Sequence, residues 1–197
     1  MKHFFSFLLA VLCSVAAPAQ SFRLGLKAGP SLSNFTGADL TSGRRLAAHA
    51  GFVADCSLNS RFSVQPELLF SMKGDENKSL GSTAHLNLSY LEVPVLLKVK
   101  VGGLFFEAGP QIGLLLSGKY EINNVSLKIT ENYHTLDFGY AAGFGYQLSN
   151  GLNAGLRYNG GFRDPTEEVH TLPSAGFERK GHHSVFQLYV GYLLPGV

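Results

Sequence analysis

The sequence contains little charge. Asp, Glu, Lys and Arg make up only 15% of its 197 residues, whereas apolar residues make up 45%. Soluble domains carry about 25% charged residues, so we expect lipid to cover part of the apolar surface. The formal net charge is only +2. Because no basic residues cluster on one face, the sequence argues against nucleic acid as a partner.

Cysteine is nearly absent and tryptophan is absent, with two cysteines and no Trp. Cys13 falls within an N-terminal apolar stretch that we expect to be removed, which leaves Cys56 as the single thiol. This excludes an intramolecular disulfide and a thiolate metal cluster. The histidines lack the spacing of a structural zinc site, and the glycine-rich stretches lack the Lys and Ser/Thr of a phosphate-binding loop. The sequence therefore predicts neither a metal nor a cofactor.

The N-terminus has the features of an export signal. An apolar stretch runs from Phe7 to Leu12, and Ala17-Pro18-Ala19 places small residues at the two positions that a signal peptidase reads. The stretch is shorter than the roughly 20 apolar residues of a transmembrane helix. We expect residues 1–19 to be a signal peptide and residues 20–197 to form one domain.

Apolar residues recur at every second position in the rest of the chain, and no helical period of 3.6 is sustained. Between Leu136 and Leu148, one face is apolar and aromatic and the other is small or polar. The alternation predicts eight strands, at residues 22–32, 48–58, 62–72, 86–101, 104–117, 136–148, 152–159 and 184–194.

The connectors between these strands alternate in length. Short turns are predicted at residues 59–61, 101–103 and 149–151, and long connectors at 33–47, 74–85, 118–135 and 160–183. Barrels of the outer membrane have short periplasmic turns and long external loops. The sequence therefore predicts an all-β fold, an eight-stranded antiparallel up-and-down transmembrane β-barrel in contact with outer-membrane lipid. An even number of strands places both termini in the periplasm.

Two features predict local irregularity. In the fourth strand, Leu86, Leu88 and Tyr90 follow one parity, whereas the apolar residues from Leu91 onward follow the other; a β-bulge near Tyr90 would restore one lipid face. Three prolines lie inside predicted strands, where each removes a hydrogen-bond donor and favours irregular pairing. They are Pro66, Pro94 and Pro110.

Several stretches give the chain a family resemblance. They are Leu24-Gly25-Leu26-Lys27-Ala28-Gly29, Leu32-Ser33-Asn34-Phe35, Val64 to Gly74 (VQPELLFSMKG), Tyr90 to Lys98 (YLEVPVLLK), Phe106 to Gly113 (FEAGPQIG) and Leu156-Arg157-Tyr158-Asn159. In this order, they resemble the outer-membrane β-barrel proteins of Bacteroidetes that are described as porin-family or PorT-like. The resemblance implies an eight-stranded barrel in the outer membrane, and it implies no particular activity.

Charged residues on the inward face are the first candidates for function. An eight-stranded barrel is just wide enough to be filled by its own side chains, and a lone charge in such an interior is costly. We therefore expect these charges to pair in a polar network, with a gate or narrow conduit as the alternative. The network comprises Lys27, Asp55, Glu67, Glu92, Lys98, Glu107, Asp137 and Arg157.

A second set of residues suggests catalysis. His182, His183 and Ser184, with Glu168 or Glu178, have the residue types of a hydrolase, although a triad is recognised by its geometry. Histidines at the end of a loop are also ordinary interfacial residues. The sequence therefore predicts no catalytic residues.

The longest connector, residues 160–183, is the candidate surface for a protein partner. We expect a non-enzymatic protein with a structural or surface-interaction role. The alternatives are a narrow passive pore or a transport or secretion component and, ranked lower, an outer-membrane lipid hydrolase.

Overall fold

The computed structural model describes residues 21–36, 45–79, 82–122, 125–128, 136–162 and 182–196. The predicted signal peptide and most of the loop at 160–183 lie outside these ranges. Within these ranges lie nine strands: β1 (Ser21–Thr36), β2 (Arg45–Ser57), β3 (Phe62–Ser79), β4 (Ser82–Val101), β5 (Leu104–Ile122), β6 (Val125–Lys128), β7 (Leu136–Gln147), β8 (Leu152–Gly161) and β9 (His182–Leu193). Among the described residues, no helix is long and apolar enough to cross a membrane.

Eight of the strands close into an antiparallel barrel, which confirms the predicted fold class. Each strand pairs with its neighbour in the order β1, β2, β3, β4, β5, β7, β8 and β9. The barrel closes where β1 pairs with β9, from Gly25 opposite Leu193 to Thr36 opposite His182. The remaining strand, β6, pairs only with the end of β5, where Ile122 lies opposite Val125. It forms a short hairpin inside the connector predicted at residues 118–135.

The alternation of side chains separates an apolar outer face from a polar interior. On β7, Leu136, Phe138 and Tyr140 are exposed, whereas Asp137 and Ala141, which have the opposite parity, are buried. The apolar residues of the outer face are unusually accessible, for example Phe52 at 65%. Contact between such an apolar surface and water costs about 25 cal/mol per Å². A hydrocarbon environment removes that cost.

The short turns lie together at one end of the barrel. Gly102 and Gly151 have φ values of 62° and 92°, a region that side chains rarely adopt. In the first turn, the Asn59 side chain accepts hydrogen bonds from the backbone N–H groups of Arg61 and Phe62 at 2.9 and 2.8 Å. We call this end the periplasmic end and the opposite end the outer end, following the arrangement of known barrels.

At the outer end, the strands extend further than the apolar alternation predicts. Residues 74–85 were expected to form a long connector, yet β3 and β4 pair up to Ser79 opposite Ser82. Backbone pairing does not require an apolar face, so a ladder can continue beyond the point where the alternation ends.

The irregularity at Tyr90 differs from the one predicted. The register between β4 and β5 does shift at Ser89 and Tyr90. The extra residue, however, lies on β5, where Tyr90 is opposite Leu115 and Ser89 is opposite Ser117. Because β4 itself keeps one parity, Leu88 and Tyr90 are buried in the interior instead of facing lipid.

The prolines lie where one ladder is interrupted, which confirms the prediction of irregular pairing. Pro66 is in register with Val95 on β4, whereas its other ladder breaks between Val53–Glu67 and Cys56–Val64. Pro94 and Pro110 are likewise in register with one neighbouring strand and lie within a gap in the pairing with the other. A missing N–H therefore coincides with a gap in the pairing.

Candidate functional site: the charged interior of the barrel

Arg157, on β8, lies at the centre of the interior and is 1% exposed. Its Nη1 and Nη2 donate to the two carboxylate oxygens of Glu67 at 2.7 and 2.9 Å. Its Nε and Nη2 donate to Oε1 of Glu107 at 2.8 and 2.7 Å. A planar guanidinium is suited to such paired contacts. Because Glu67 is on β3 and Glu107 is on β5, these bonds cross the lumen.

Lys27 and Tyr189 complete this arrangement. Lys27 Nζ forms a 2.7 Å ion pair with Glu67 and lies 3.9 Å from the centre of the Tyr189 ring. Tyr189 donates its hydroxyl proton to Glu107 at 2.9 Å. Two cations and two carboxylates therefore compensate one another, as buried charges require.

A third cation, Lys98, joins this arrangement through the side-chain amide of Gln65. Gln65 Nε2 donates to Glu67 at 2.6 Å, and Lys98 Nζ donates to Gln65 Oε1 at 3.1 Å. Lys98 also lies 3.8 Å from the centre of the Phe105 ring, a favourable contact for a cation. We call the group Lys27, Gln65, Glu67, Lys98, Glu107, Arg157 and Tyr189 the central cluster.

Two smaller layers of charge flank the central cluster. The outer layer contains Lys73, Glu92, Gln111 and Asp137. Lys73 Nζ lies 2.6 Å from Glu92 and 3.9 Å from Asp137, and Gln111 Nε2 donates to Glu92 at 2.9 Å. Counting formal charges, this layer carries one excess negative charge.

The inner layer, near the periplasmic end, contains Arg23, Asp55 and Lys100. Asp55 Oδ2 accepts from Arg23 at 2.6 Å and from Lys100 at 2.8 Å. The two cations outnumber the carboxylate, so this layer carries one excess positive charge. The formal charge of the interior thus changes sign along the barrel axis.

The structure places all eight sequence-predicted residues in the interior, distributed over the three layers. Lys27, Glu67, Lys98, Glu107 and Arg157 come together in the central cluster, Glu92 and Asp137 lie in the outer layer, and Asp55 lies in the inner layer. The predicted set omitted Arg23, Lys73, Lys100 and Tyr189. The alternation carried the missing signal, because all four have the inward parity of their strands.

The catalytic alternative gains no geometric support from the described residues. Ser184 Oγ donates to the Tyr158 hydroxyl at 3.3 Å, a contact that does not activate a nucleophile. Glu168 and Glu178, and the side chains of His182 and His183, lie outside the part of the chain that the structure describes. In the part of the chain that the structure describes, no group of three or more His, Cys, Asp or Glu side chains could hold a metal ion.

Comparisons with known proteins agree with this architecture. Residues 18–167 match the family model described as outer membrane protein β-barrel domain. The crystal structure of Ail, the attachment invasion locus protein of Yersinia pestis, superposes with a TM-score of 0.51 at 13% identity, covering 88% of this chain and 98% of that one.

Two further solved structures are similar to this chain, and each has a TM-score of 0.48. Neisserial surface protein A is 12% identical, covering 87% of this chain and 96% of that one. OprG from Pseudomonas aeruginosa is 14% identical, covering 88% of this chain and 94% of that one. No curated protein matches the sequence. Since the family model covers well over half of the chain, the protein belongs to the outer membrane protein β-barrel domain family and is a protein of the cell outer membrane.

Proposed function

We propose that this protein is a non-enzymatic, sealed barrel with a structural or surface-interaction role. The observation that carries the proposal is the bridge from Glu67 through Arg157 to Glu107, which crosses the lumen with four hydrogen bonds of 2.7 to 2.9 Å. To open a path, Arg157 would have to leave at least one carboxylate. Removing one partner from a buried pair costs about 3–5 kcal/mol, which favours a permanently filled interior.

Conductance across planar lipid bilayers tests the seal. We expect the full-length barrel to produce no stable open channels. The variant Arg157→Ser/Glu67→Ser/Glu107→Ser removes the bridge and should open a small, steady conductance if it inserts and shows native heat-modifiable migration. Stable open channels in the unsubstituted protein would contradict the seal.

A narrow passive pore, or a component of transport or secretion, is the second candidate. It is favoured by the polar side chains that line the interior in all three charged layers, from Asp55 to Asp137. A pore of this kind predicts small channels in the unsubstituted protein whose cation selectivity depends on the outer layer. Asp137→Asn would then reduce that selectivity, whereas a sealed barrel gives no current to measure.

The external surface is where we propose that a partner binds, with residues 160–183 as its main part. The barrel presents this connector between β8 and β9, and its predicted length supports a role in binding. Crosslinking in native membranes, followed by co-purification, should recover one dominant partner protein. Shortening residues 163–181 should abolish that recovery while heat-modifiable migration is retained. Recovery that is unchanged by the shortening would contradict this assignment.

We also propose that the chain is one of the porin-family, PorT-like barrels of Bacteroidetes, with residues 1–19 as its export signal and residues 20–197 as the mature barrel. The ordered sequence stretches described above and Ala17-Pro18-Ala19 support this assignment. The mass of the protein purified from outer membranes should correspond to a chain that begins at Gln20.

For the non-enzymatic role, Ser184→Ala should leave the lipid A of whole cells unchanged.

A further inference from the structure

The outer layer contains buried polar atoms that lack partners. Asn159 on β8 is only 4% exposed, and neither its Oδ1 nor its Nδ2 has a hydrogen-bond partner. Gln111 Oε1 and Asp137 Oδ1 are buried and unpaired as well. Because an unsatisfied buried polar group destabilises a fold, several such groups at one place indicate that a ligand binds there.

These three side chains border the same small pocket. Lys73, Gln111, Asp137 and Asn159 line it together with glycines of β5, β7 and β8, and its volume is about 10 Å³. A cavity of roughly 10–15 Å³ holds one water-sized group. The pocket therefore admits a single small ion or one small functional group.

The charge of the pocket determines the kind of ligand. Lys73 lies 2.6 Å from Glu92 but 3.9 Å from Asp137, so the first carboxylate is compensated closely and the second is not. One excess negative charge remains, and the unpaired Gln111 Oε1, Asp137 Oδ1 and Asn159 Oδ1 are acceptors. Three acceptors match the three donors of an ammonium group.

We propose that this pocket, which we call the outer pocket, binds a small monovalent cation, either an inorganic ion such as K⁺ or the primary ammonium group of an amine. A divalent ion would leave the outer layer with an excess positive charge in a buried site, which is costly. This site goes beyond the sealed-barrel proposal and does not depend on whether the barrel conducts.

Gly113 on β5 keeps the outer pocket open. A Cβ atom at this position would lie 3.5 Å from Tyr90 Cδ1 and 3.6 Å from Asp137 Cβ, both ordinary contact distances. Alanine therefore fits, whereas a larger side chain would extend into the space beside Asp137. Substitution of Gly113 thus provides a way to fill the pocket without removing any charge.

The test combines thermal unfolding of the full purified barrel in detergent with diffraction. KCl, methylammonium chloride and choline chloride are compared at equal ionic strength, because choline is too large for the pocket. We expect a saturable rise in Tm with KCl or methylammonium and none with choline. Crystals soaked in Tl⁺ should show an anomalous peak beside Asp137 if the site takes an inorganic ion.

The two sources of the cation give different outcomes. Stabilisation by both KCl and methylammonium, with a Tl⁺ peak, assigns the site to a free inorganic ion. Stabilisation by methylammonium alone, without a Tl⁺ peak, assigns it to an ammonium group carried by a larger ligand. Equal stabilisation by all three salts, or by none of them, would overturn the proposal.

Two asparagines on β8 provide a matched pair of variants. Asn159→Leu removes one acceptor of the outer pocket, and we expect the apparent Kd of the stabilising cation to rise at least about tenfold, as on loss of a supporting ligand at a metal site. Asn153→Leu changes the same residue type near the periplasmic end, where Asn153 donates to the Gly151 carbonyl at 3.3 Å, and should leave the Kd unchanged.

Gly113→Val serves as the second variant if Asn159→Leu does not fold. It should abolish the saturable rise in Tm, whereas Gly113→Ala should retain it. Equal loss of cation affinity in the Asn159 and Asn153 variants would overturn the assignment to the outer pocket, as would unchanged affinity in Gly113→Val.

Discussion

Among single residues, Arg157 connects opposite sides of the interior. It contacts both carboxylates of the central cluster and is itself fully buried. The strand alternation predicts its inward direction. It does not predict its partners, because those depend on how far each strand is staggered against the next around the barrel. For the same reason, the pairing of Asp55 with Arg23 and Lys100 could not be predicted from the sequence.

Replacing Arg157 should destabilise the barrel strongly. In Arg157→Met, Glu67 and Glu107 lose their shared cation, and we expect the free energy of unfolding to fall by about 3–5 kcal/mol. Urea titration in lipid vesicles, followed by heat-modifiable migration on gels, measures the change. Arg61, exposed in the first turn, serves as the control: Arg61→Met should alter the free energy by less than about 0.5 kcal/mol. Equal effects of the two changes would contradict the role given to the central cluster.

Among the elements, the strands were easier to predict than their ends and irregularities. Each of the eight predicted runs corresponds to a barrel strand because alternation with one apolar face is a strong signal. On β4, the alternation gave a wrong prediction for Leu88 and Tyr90, because these two apolar residues face the interior. The short strand β6 was not predicted, because four residues are too few to show a period.

The two glycines at short turns should differ in their tolerance of alanine. A Cβ at Gly102 would have nothing within 4 Å, whereas one at Gly151 would collide with the Leu193 carbonyl oxygen. Gly102→Ala should therefore cost only the backbone penalty of a left-handed residue, about 1–2 kcal/mol. We expect Gly151→Ala to cost more, as measured by the same urea titration. A smaller loss in Gly151→Ala than in Gly102→Ala would show that the backbone around Leu193 yields easily.

For the whole molecule, the outer face and the membrane determine stability together. Large apolar side chains such as Leu26, which is 59% exposed, cover the barrel wall on every strand of the closed sheet. The composition predicted this arrangement, because the sequence contains too little charge to cover a surface in water. What it could not predict is how the interior is divided into layers of opposite excess charge.

An arginine on the outer face should reveal the membrane midplane. Phe52, on β2, is 65% exposed near the middle of its strand, and Phe52→Arg should lower the free energy of unfolding in vesicles by about 2–4 kcal/mol. Leu46 is exposed near the outer end of β2, so Leu46→Arg should cost only about 0–1 kcal/mol. A similar cost at both positions would contradict the placement of the bilayer around the barrel.

The bridge through Arg157 also constrains the order of assembly. Glu67 and Arg157 are 90 residues apart in the chain, and they meet only when β3 and β8 face each other across a closed wall. Before closure, Glu67 can pair with Lys27 and Arg157 with Glu107, but the contact between Glu67 and Arg157 is missing, and a carboxylate or guanidinium that is incompletely paired in hydrocarbon is costly. We therefore expect the sheet to curl while it enters the bilayer. Glu67 and Arg157 would then lose their hydration and pair with each other in a single late step. A chain that inserts strand by strand as a flat sheet would have to carry Glu67 and Arg157 through lipid without their contact with each other.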